Sequence, residues 1–188
     1  MSKILGISGS LRSGSFNTGL LKAAVQLIEG ATLEIASIRG IPLYDGDIEE
    51  KEGIPQTVQD LKARLIAADG LLLATPEYNN SLPGVLKNAI DWLTRPPKDV
   101  PKVFGGKPIA VIGATPGGFG TVLAQDAWLS VSRTLRTRPW FGGRLVVSQA
   151  DKLFNETGEL VDEAVSKQLK DFLRGFVAFI DAGPKERS

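Results

Sequence analysis

A stretch near the N-terminus, Ser8-Gly9-Ser10-Leu11-Arg12-Ser13-Gly14-Ser15-Phe16-Asn17, gathers the groups that hold an anion. Arg12 carries a permanent positive charge, and Ser10, Ser13, Ser15, Asn17 and Thr18 bring side-chain donors. Gly9 and Gly14 allow the backbone to approach a ligand closely. The stretch lies between a short apolar run, Lys3-Ile4-Leu5-Gly6-Ile7, and a segment where Leu20, Leu21, Ala24, Val25, Leu27 and Ile28 recur at helical spacing. A strand, a loop of Gly and Ser, and a helix start put unpartnered first-turn N–H groups and the positive end of the helix dipole in one place. That set answers to phosphate. The same residues also read as an N-capped turn, since Ser and Asn cap helices; Arg12 and the density of donors favour phosphate. The loop lacks G-x-x-x-x-G-K-[ST] and G-x-G-x-x-G, so one terminal phosphate, as on a mononucleotide, suits it better than a triphosphate or a dinucleotide.

Composition narrows the chemistry further. The chain has 188 residues, with no His and no Cys. That excludes disulfides, thiol chemistry, zinc sites built from Cys and His, and Ser-His-Asp or Cys-His catalysis. Any reaction here draws on carboxylates, hydroxyls, Lys, Tyr or a bound cofactor. The net charge of +1 gives no field for nucleic acid or a membrane surface. No stretch reads as a transmembrane helix or signal peptide, so one cytoplasmic domain over residues 1–188 is expected.

The elements that must position this chemistry alternate. After the first helix, Thr32 to Ile38 alternates like a strand, and Ile41 to Asp47 reads as loop by its Pro, Gly and Asp. Pro55 starts a helix with Val58, Leu61, Leu65 and Ile66 on its apolar face. Gly70 to Thr75 is a buried strand, Pro76 to Gly84 a polar loop, and Pro83 opens a helix carrying Val85, Leu86, Ala89, Ile90, Trp92 and Leu93. Residues 96–106 read as a surface connection. Lys107 to Gly113 is a fourth strand, followed by the Gly-rich loop Ala114 to Gly120 and a helix over 121–136. Pro139 to Val147 contains a fifth strand, with a break expected at Gly142-Gly143. Phe154 to Leu160 reads as a turn, and a last helix over 160–180 turns Val161, Val165, Leu169, Phe172, Leu173, Phe176 and Phe179 inward. The tail from Gly183 is expected to fray. Trp92, Trp128 and Trp140 read as packing residues, and Asp91 as an exposed helix carboxylate.

This order predicts an α/β doubly wound parallel sheet of five strands in a three-layer sandwich. Ligands of such sheets bind outside the carboxyl ends of the strands. Residues 8–17, 76–84 and 114–120 each follow a strand and therefore share one edge. The first loop suits a phosphate. The second offers the Asn79 and Asn80 amides and the Tyr78 ring, and the third a backbone left bare by Gly117 and Gly118. A flat heteroaromatic ring with a phosphate tail, such as flavin mononucleotide, satisfies all three. Taken alone, the second and third loops read equally well as plain turns, and Glu77 as a solvated or hydrogen-bonding carboxylate.

The motifs resemble those of the NADPH-dependent FMN reductase family, especially its bacterial quinone, chromate and azo reductases. The resemblance is carried by Gly-Ser-Leu-Arg-x-x-Ser-Phe-Asn at 9–17 and by Pro76-Glu77-Tyr78-Asn79, followed by Ser81-x-Pro83-Gly84-x-Leu86-Lys87-Asn88-Ala89-Ile90-Asp91-Trp92. Leu43-Tyr44-Asp45 and Thr115-Pro116-Gly117-Gly118-Phe119-Gly120 fit as well. It covers roughly residues 1–125. The family implies a flavodoxin-like fold, non-covalent FMN, NADPH or NADH as co-substrate, and a homodimer or homotetramer. It implies Ser10, Arg12, Ser15 and Asn17 at the phosphate, with Phe16 among the cofactor-binding residues. Pro76, Glu77, Tyr78 and Asn79 would flank one edge of the isoalloxazine, and Thr115, Pro116, Gly117 and Gly118 the other. Thr115 stands where serine is frequent, and the segment after Gly120 lacks a histidine found in several relatives. The implied activity is two-electron transfer to a quinone or similar acceptor. The alternatives are a flavodoxin-type electron carrier, against which the near-neutral charge argues, and a non-catalytic FMN-binding protein. The apolar helix at 85–93 is the expected partner surface.

Overall fold

A computed structural model describes residues 1–183. Of the tail expected to fray, residues 184–188 lie outside the described residues. The chain runs β1 (Ser2–Ser8), α1 (Phe16–Leu27), β2 (Ala31–Ala36), α2 (Gly46–Glu52), α3 (Gln56–Ala67), β3 (Gly70–Ala74), α4 (Gly84–Leu93), α5 (Val100–Val103), β4 (Pro108–Ala114), α6 (Val122–Thr134), β5 (Arg138–Pro139), β6 (Leu145–Val147) and α7 (Glu163–Asp181). All strand pairs are parallel, in the order β2-β1-β3-β4, with β5 and β6 both paired to the outer side of β4. The expected flavodoxin-like three-layer arrangement is therefore present, with its fifth strand split in two.

Apolar alternation builds the layers. Leu71 and Leu73 join Leu5, Ile7 and Ile109 in a core under α3, α4 and α6, while Leu72 and Ala74 join Ile4, Ala110 and Ile112 in a core under α1 and α7. A strand covered on both faces has no polar side, which explains the unbroken Leu71-Leu72-Leu73 run. Trp92 and Trp128 are fully buried, each large ring contributing about 1.5–3 kcal/mol or more. In α7, Leu169, Phe172, Leu173, Phe176, Val177 and Ile180 form the inward stripe, and the Asp162 carboxylate accepts the Val165 N–H at 2.8 Å to start it.

The break between β5 and β6 follows from Trp140. Its indole packs on Phe172 at 4.7 Å, and a Cβ at Gly142 would come within 2.6 Å of Trp140 Nε1. The chain wraps this ring on glycines and leaves the ladder between Pro139 and Leu145.

Other expectations need correction. Gly46 and Asp47 belong to α2, not to a loop. This helix buries no residue, so periodicity gives no sign of it; the Asp45 carboxylate caps it by accepting the Asp47 N–H at 2.9 Å, and Gly53 ends it at φ +81°. Residues 96–106 are more than a surface connection: Val103 and Phe104 are buried against α3 and α4. Val25 and Val161 face outward. The apolar residues of α4 point into the protein's own core, with only Val85 exposed, so this helix offers no apolar face to a partner. Asp91 pairs with Lys87 one turn away at 2.7 Å, on the surface.

Candidate functional site

The strand order reverses between β1 and β3, and the loops after β1, β3 and β4 meet beside that reversal. Gly9 N–H donates to Ala74 O at 2.8 Å, and Thr75 N–H to Ile112 O at 2.8 Å, so the three strand ends are stitched together.

In the first loop, the Ser8 hydroxyl accepts from Ser10 N–H at 3.3 Å and from the Thr18 hydroxyl at 3.0 Å. The Ser10 hydroxyl accepts the Arg12 N–H, and the Ser15 hydroxyl caps α1 by accepting the Thr18 N–H at 3.2 Å. Capping leaves donors over: the Phe16 and Asn17 N–H groups of α1 find no partner among the described residues. Arg12 is exposed and makes no ion pair among the described residues. Gly14 faces open space, whereas Gly9 does not: a Cβ there would lie 2.8 Å from Pro76 Cδ and 2.9 Å from Leu86 Cδ2. Gly9 serves the approach of two loops rather than that of a ligand. Phe16 turns its ring onto Phe154 at 5.4 Å, so only its backbone faces the loop. Asn17 is buried, and both polar atoms of its amide are engaged across the sheet: Nδ2 donates to Ala114 O at 2.9 Å and Oδ1 accepts Ala114 N–H at 3.0 Å. The Asn17 side chain thus braces α1 against β4.

The second loop is a tight reversal. Tyr78 and Ser81 exchange both backbone hydrogen bonds at 3.1 Å, with Asn79 at φ +50° and Asn80 at φ +60°. Positive φ at both central residues is the type I′ requirement, which Asn, after Gly, meets with least strain. Tyr78 is left 43% exposed at the rim, and Pro76 is buried. The Glu77 side chain reaches the start of the helix after the third loop, and its Oε2 accepts the Leu123 and Ala124 N–H groups at 2.9 and 3.0 Å.

In the third loop, Thr115 N–H donates to Val147 O and the Thr115 hydroxyl accepts the Gly117 N–H at 3.3 Å. Pro116, Gly117, Gly118 and Phe119 are exposed. A Cβ at Gly118 would meet nothing within 4 Å, and one at Gly117 only Thr115 at 3.6 Å. The chain's own packing does not require glycine at either position.

These observations fit a flat ligand carrying a phosphate. The two N–H groups and the exposed Arg12, unpaired among the described residues, suit a dianion, and Gly14, Gly117 and Gly118 leave room where a ring and its tail need it. A separate hollow of about 260 Å³, between Gln125, Trp128 and Trp140, shares no residue with the three loops.

Sequence reasoning missed Arg39, whose guanidinium donates to Leu11 O and backs the first loop. It follows β2, so the rule that picked the other loops would have found it. Thr75 was also missed: fully buried, its hydroxyl donates to Pro76 O and accepts from Trp128 Nε1 at 3.1 Å. Among the described residues, no helix is long and apolar enough to cross a membrane.

Residues 2–152 match the profile of the NADPH-dependent FMN reductase family. The NAD(P)H-dependent FMN reductase of Pseudomonas aeruginosa is 42% identical over 179 residues, 95% of each chain. A quinone reductase of Escherichia coli is 37% identical over 185 residues, again 95% of each. Among solved structures, the flavoenzyme NAD(P)H:(acceptor) oxidoreductase FerB from Paracoccus denitrificans superposes with a TM-score of 0.86 at 34% identity, covering 97% of this chain and 99% of that one. With the motif loops gathered at the strand ends and the match running through β4 and beyond it, the chain belongs to the NADPH-dependent FMN reductase family.

Proposed function

We propose that the protein is an FMN-dependent oxidoreductase that takes a hydride from NADPH or NADH and delivers two electrons to a quinone-type acceptor. The observation that carries this reading is the meeting of a free phosphate cradle at the start of α1 with the bare Gly117-Gly118 backbone on the same sheet edge. FMN, when bound, would supply the redox chemistry of a two-electron transfer between the nicotinamide and the acceptor. The chain's task is to hold and orient. Arg12, the Ser10 and Ser15 hydroxyls and the Phe16 and Asn17 N–H groups take the phosphate. The Pro76–Asn79 backbone and the Tyr78 ring border one edge of the isoalloxazine, and Thr115–Gly118 the other. No protein nucleophile is required, in keeping with a chain that has neither His nor Cys.

The electron-carrier reading is disfavoured by charge, since carriers that dock on basic partners are acidic and this chain is at +1. The test is direct. The purified protein should carry a flavin absorbance, extraction should yield FMN rather than FAD, and NADPH or NADH should be oxidised when a quinone is present. Flavin that is never reduced by either nucleotide would leave a carrier or a binding protein.

Two further parts of the reading concern assembly, which rests on family resemblance, and location, which rests on NADPH or NADH as the reductant. The protein assembles as a homodimer or homotetramer, which light scattering at micromolar concentration checks; a monomer contradicts it. It works in the cytoplasm, where reduced nicotinamide is regenerated.

A further inference from the structure

We propose that Glu77 is a positioning residue: its carboxylate braces the loop after β3 against the start of α6 and so fixes the separation of the two loops that border the flavin ring. This rests on the FMN reading above.

The need for the brace arises within α6. Its N-cap residue, Thr121, makes no side-chain capping bond. The Thr121 hydroxyl is drawn into the core, where it accepts from Gln125 Nε2 at 3.1 Å, in room left by the missing side chain of Gly113. The helix start would otherwise expose two unpartnered donors beside the ligand loops. Glu77, from another loop, takes both, accepting the Leu123 N–H at 2.9 Å and the Ala124 N–H at 3.0 Å. A carboxylate at the positive end of a helix is favourable, and these are charge-assisted bonds. A second tether lies one turn on, where Trp128 Nε1 donates to the buried Thr75 hydroxyl. Residues 75 and 77 therefore grip α6 at two points immediately before Tyr78, and the 115–120 loop ends where α6 begins. Displacing the start of α6 moves both borders of the ring site, while the phosphate cradle at α1 stays where it is.

The role predicts a specific signature. Glu77→Ala should weaken riboflavin and FMN by the same factor, about tenfold, as for loss of an N-cap. The ratio of the two affinities should not move, because riboflavin lacks only the phosphate. In the apoprotein, amide exchange at Leu123 and Ala124 should accelerate. Glu77→Gln, whose amide oxygen can accept both bonds, should recover most of the lost affinity and the exchange protection. Should Glu77→Ala not fold, Glu77→Asp, one methylene short, takes its place.

Unchanged affinity for both flavins in Glu77→Ala, with wild type binding normally, would overturn the brace. So would a Glu77→Gln variant as weak as Glu77→Ala with its Leu123 and Ala124 amides still protected, since the charge would then act on the ring directly. A loss confined to FMN would move Glu77 to the phosphate end and also overturn it. Wild-type protein that binds neither flavin would overturn the functional reading, and this role with it.

Discussion

The loops after β1 and β4 both carry glycines at the same sheet edge, but those glycines answer to different neighbours. Gly9 is hemmed in, with Pro76, Leu86 and Pro83 all within 3.0 Å of a would-be Cβ. Gly118 has nothing within 4 Å, and neither position has a positive φ. One glycine is required by the folded chain itself; at the other, the chain's own packing leaves room for a side chain, which the proposed reading assigns to a ligand. Polar side chains divide the same way. Asn17 and Glu77 satisfy backbone groups far along the sequence, while Arg12 makes no ion pair among the described residues and Tyr78 stands at the rim.

Substitutions on the two sides of this division should separate stability from binding. The largest stability loss is expected for Asn17→Ala, which strands the buried N–H and C=O of Ala114, at about 1–3 kcal/mol for a single unsatisfied group. Urea unfolding should show a loss of about 2–4 kcal/mol; a loss under about 0.5 kcal/mol would mean the clamp is dispensable. Gly9→Ala should come next, at about 1–3 kcal/mol for overpacking against two prolines and a leucine, read as a lowered thermal midpoint. Gly118→Ala should leave stability within about 0.5 kcal/mol yet weaken FMN about tenfold, read by fluorescence titration of FMN into apoprotein. If Gly118→Ala instead destabilised the apoprotein as Gly9→Ala does, the division between the two loops would fall.

The smallest effect lies off the site, where the 41–49 segment is clasped to α4. Burial alone would raise the Glu49 carboxyl, but the bonds from Arg95 Nε at 2.7 Å and from the Tyr44 hydroxyl at 2.9 Å outweigh it and hold the group below its ordinary value. A depressed folded-state value means the contribution is present above the unfolded carboxylate range and is lost as pH falls through the folded one. Tyr44 packs edge-on against Trp92 at 5.0 Å, so a small tryptophan fluorescence change is expected below about pH 4, under the ordinary Glu range. Glu49→Gln should abolish that change; a change that persists in the variant belongs to another group.

Local patterns were the legible part of this molecule. The strand–loop–helix unit at 2–27, the continuous apolar run at 71–73 and the break at Gly142-Gly143 are written in neighbouring residues, and each is found where the pattern placed it. The uses of polar side chains across the sheet were not legible. Asn17 to Ala114 and Glu77 to Leu123 join residues that only the fold makes neighbours. The motif drew attention to Asn17 and Glu77, but spacing could not distinguish a ligand-facing side chain from one that braces the loop behind it. The α2 helix was illegible for a different reason: it lies on the surface, held by caps and by the Glu49–Arg95 pair, with no apolar stripe to announce it.

The central claim, a phosphate-bearing flavin held by the first loop, is tested most directly by fluorescence titration of FMN into apoprotein, wild type beside Arg12→Ala. Arg12 is the one cation within that loop, and a charge-assisted bond to phosphate contributes about 1.5–3 kcal/mol. The Kd should rise about ten- to a hundredfold, and NADPH–quinone turnover should return to the wild-type value once FMN saturates the variant. Unchanged affinity would remove Arg12 from the phosphate site, and turnover that stays low at saturating FMN would place it beside the reacting ring, contradicting the division between binding loop and ring border.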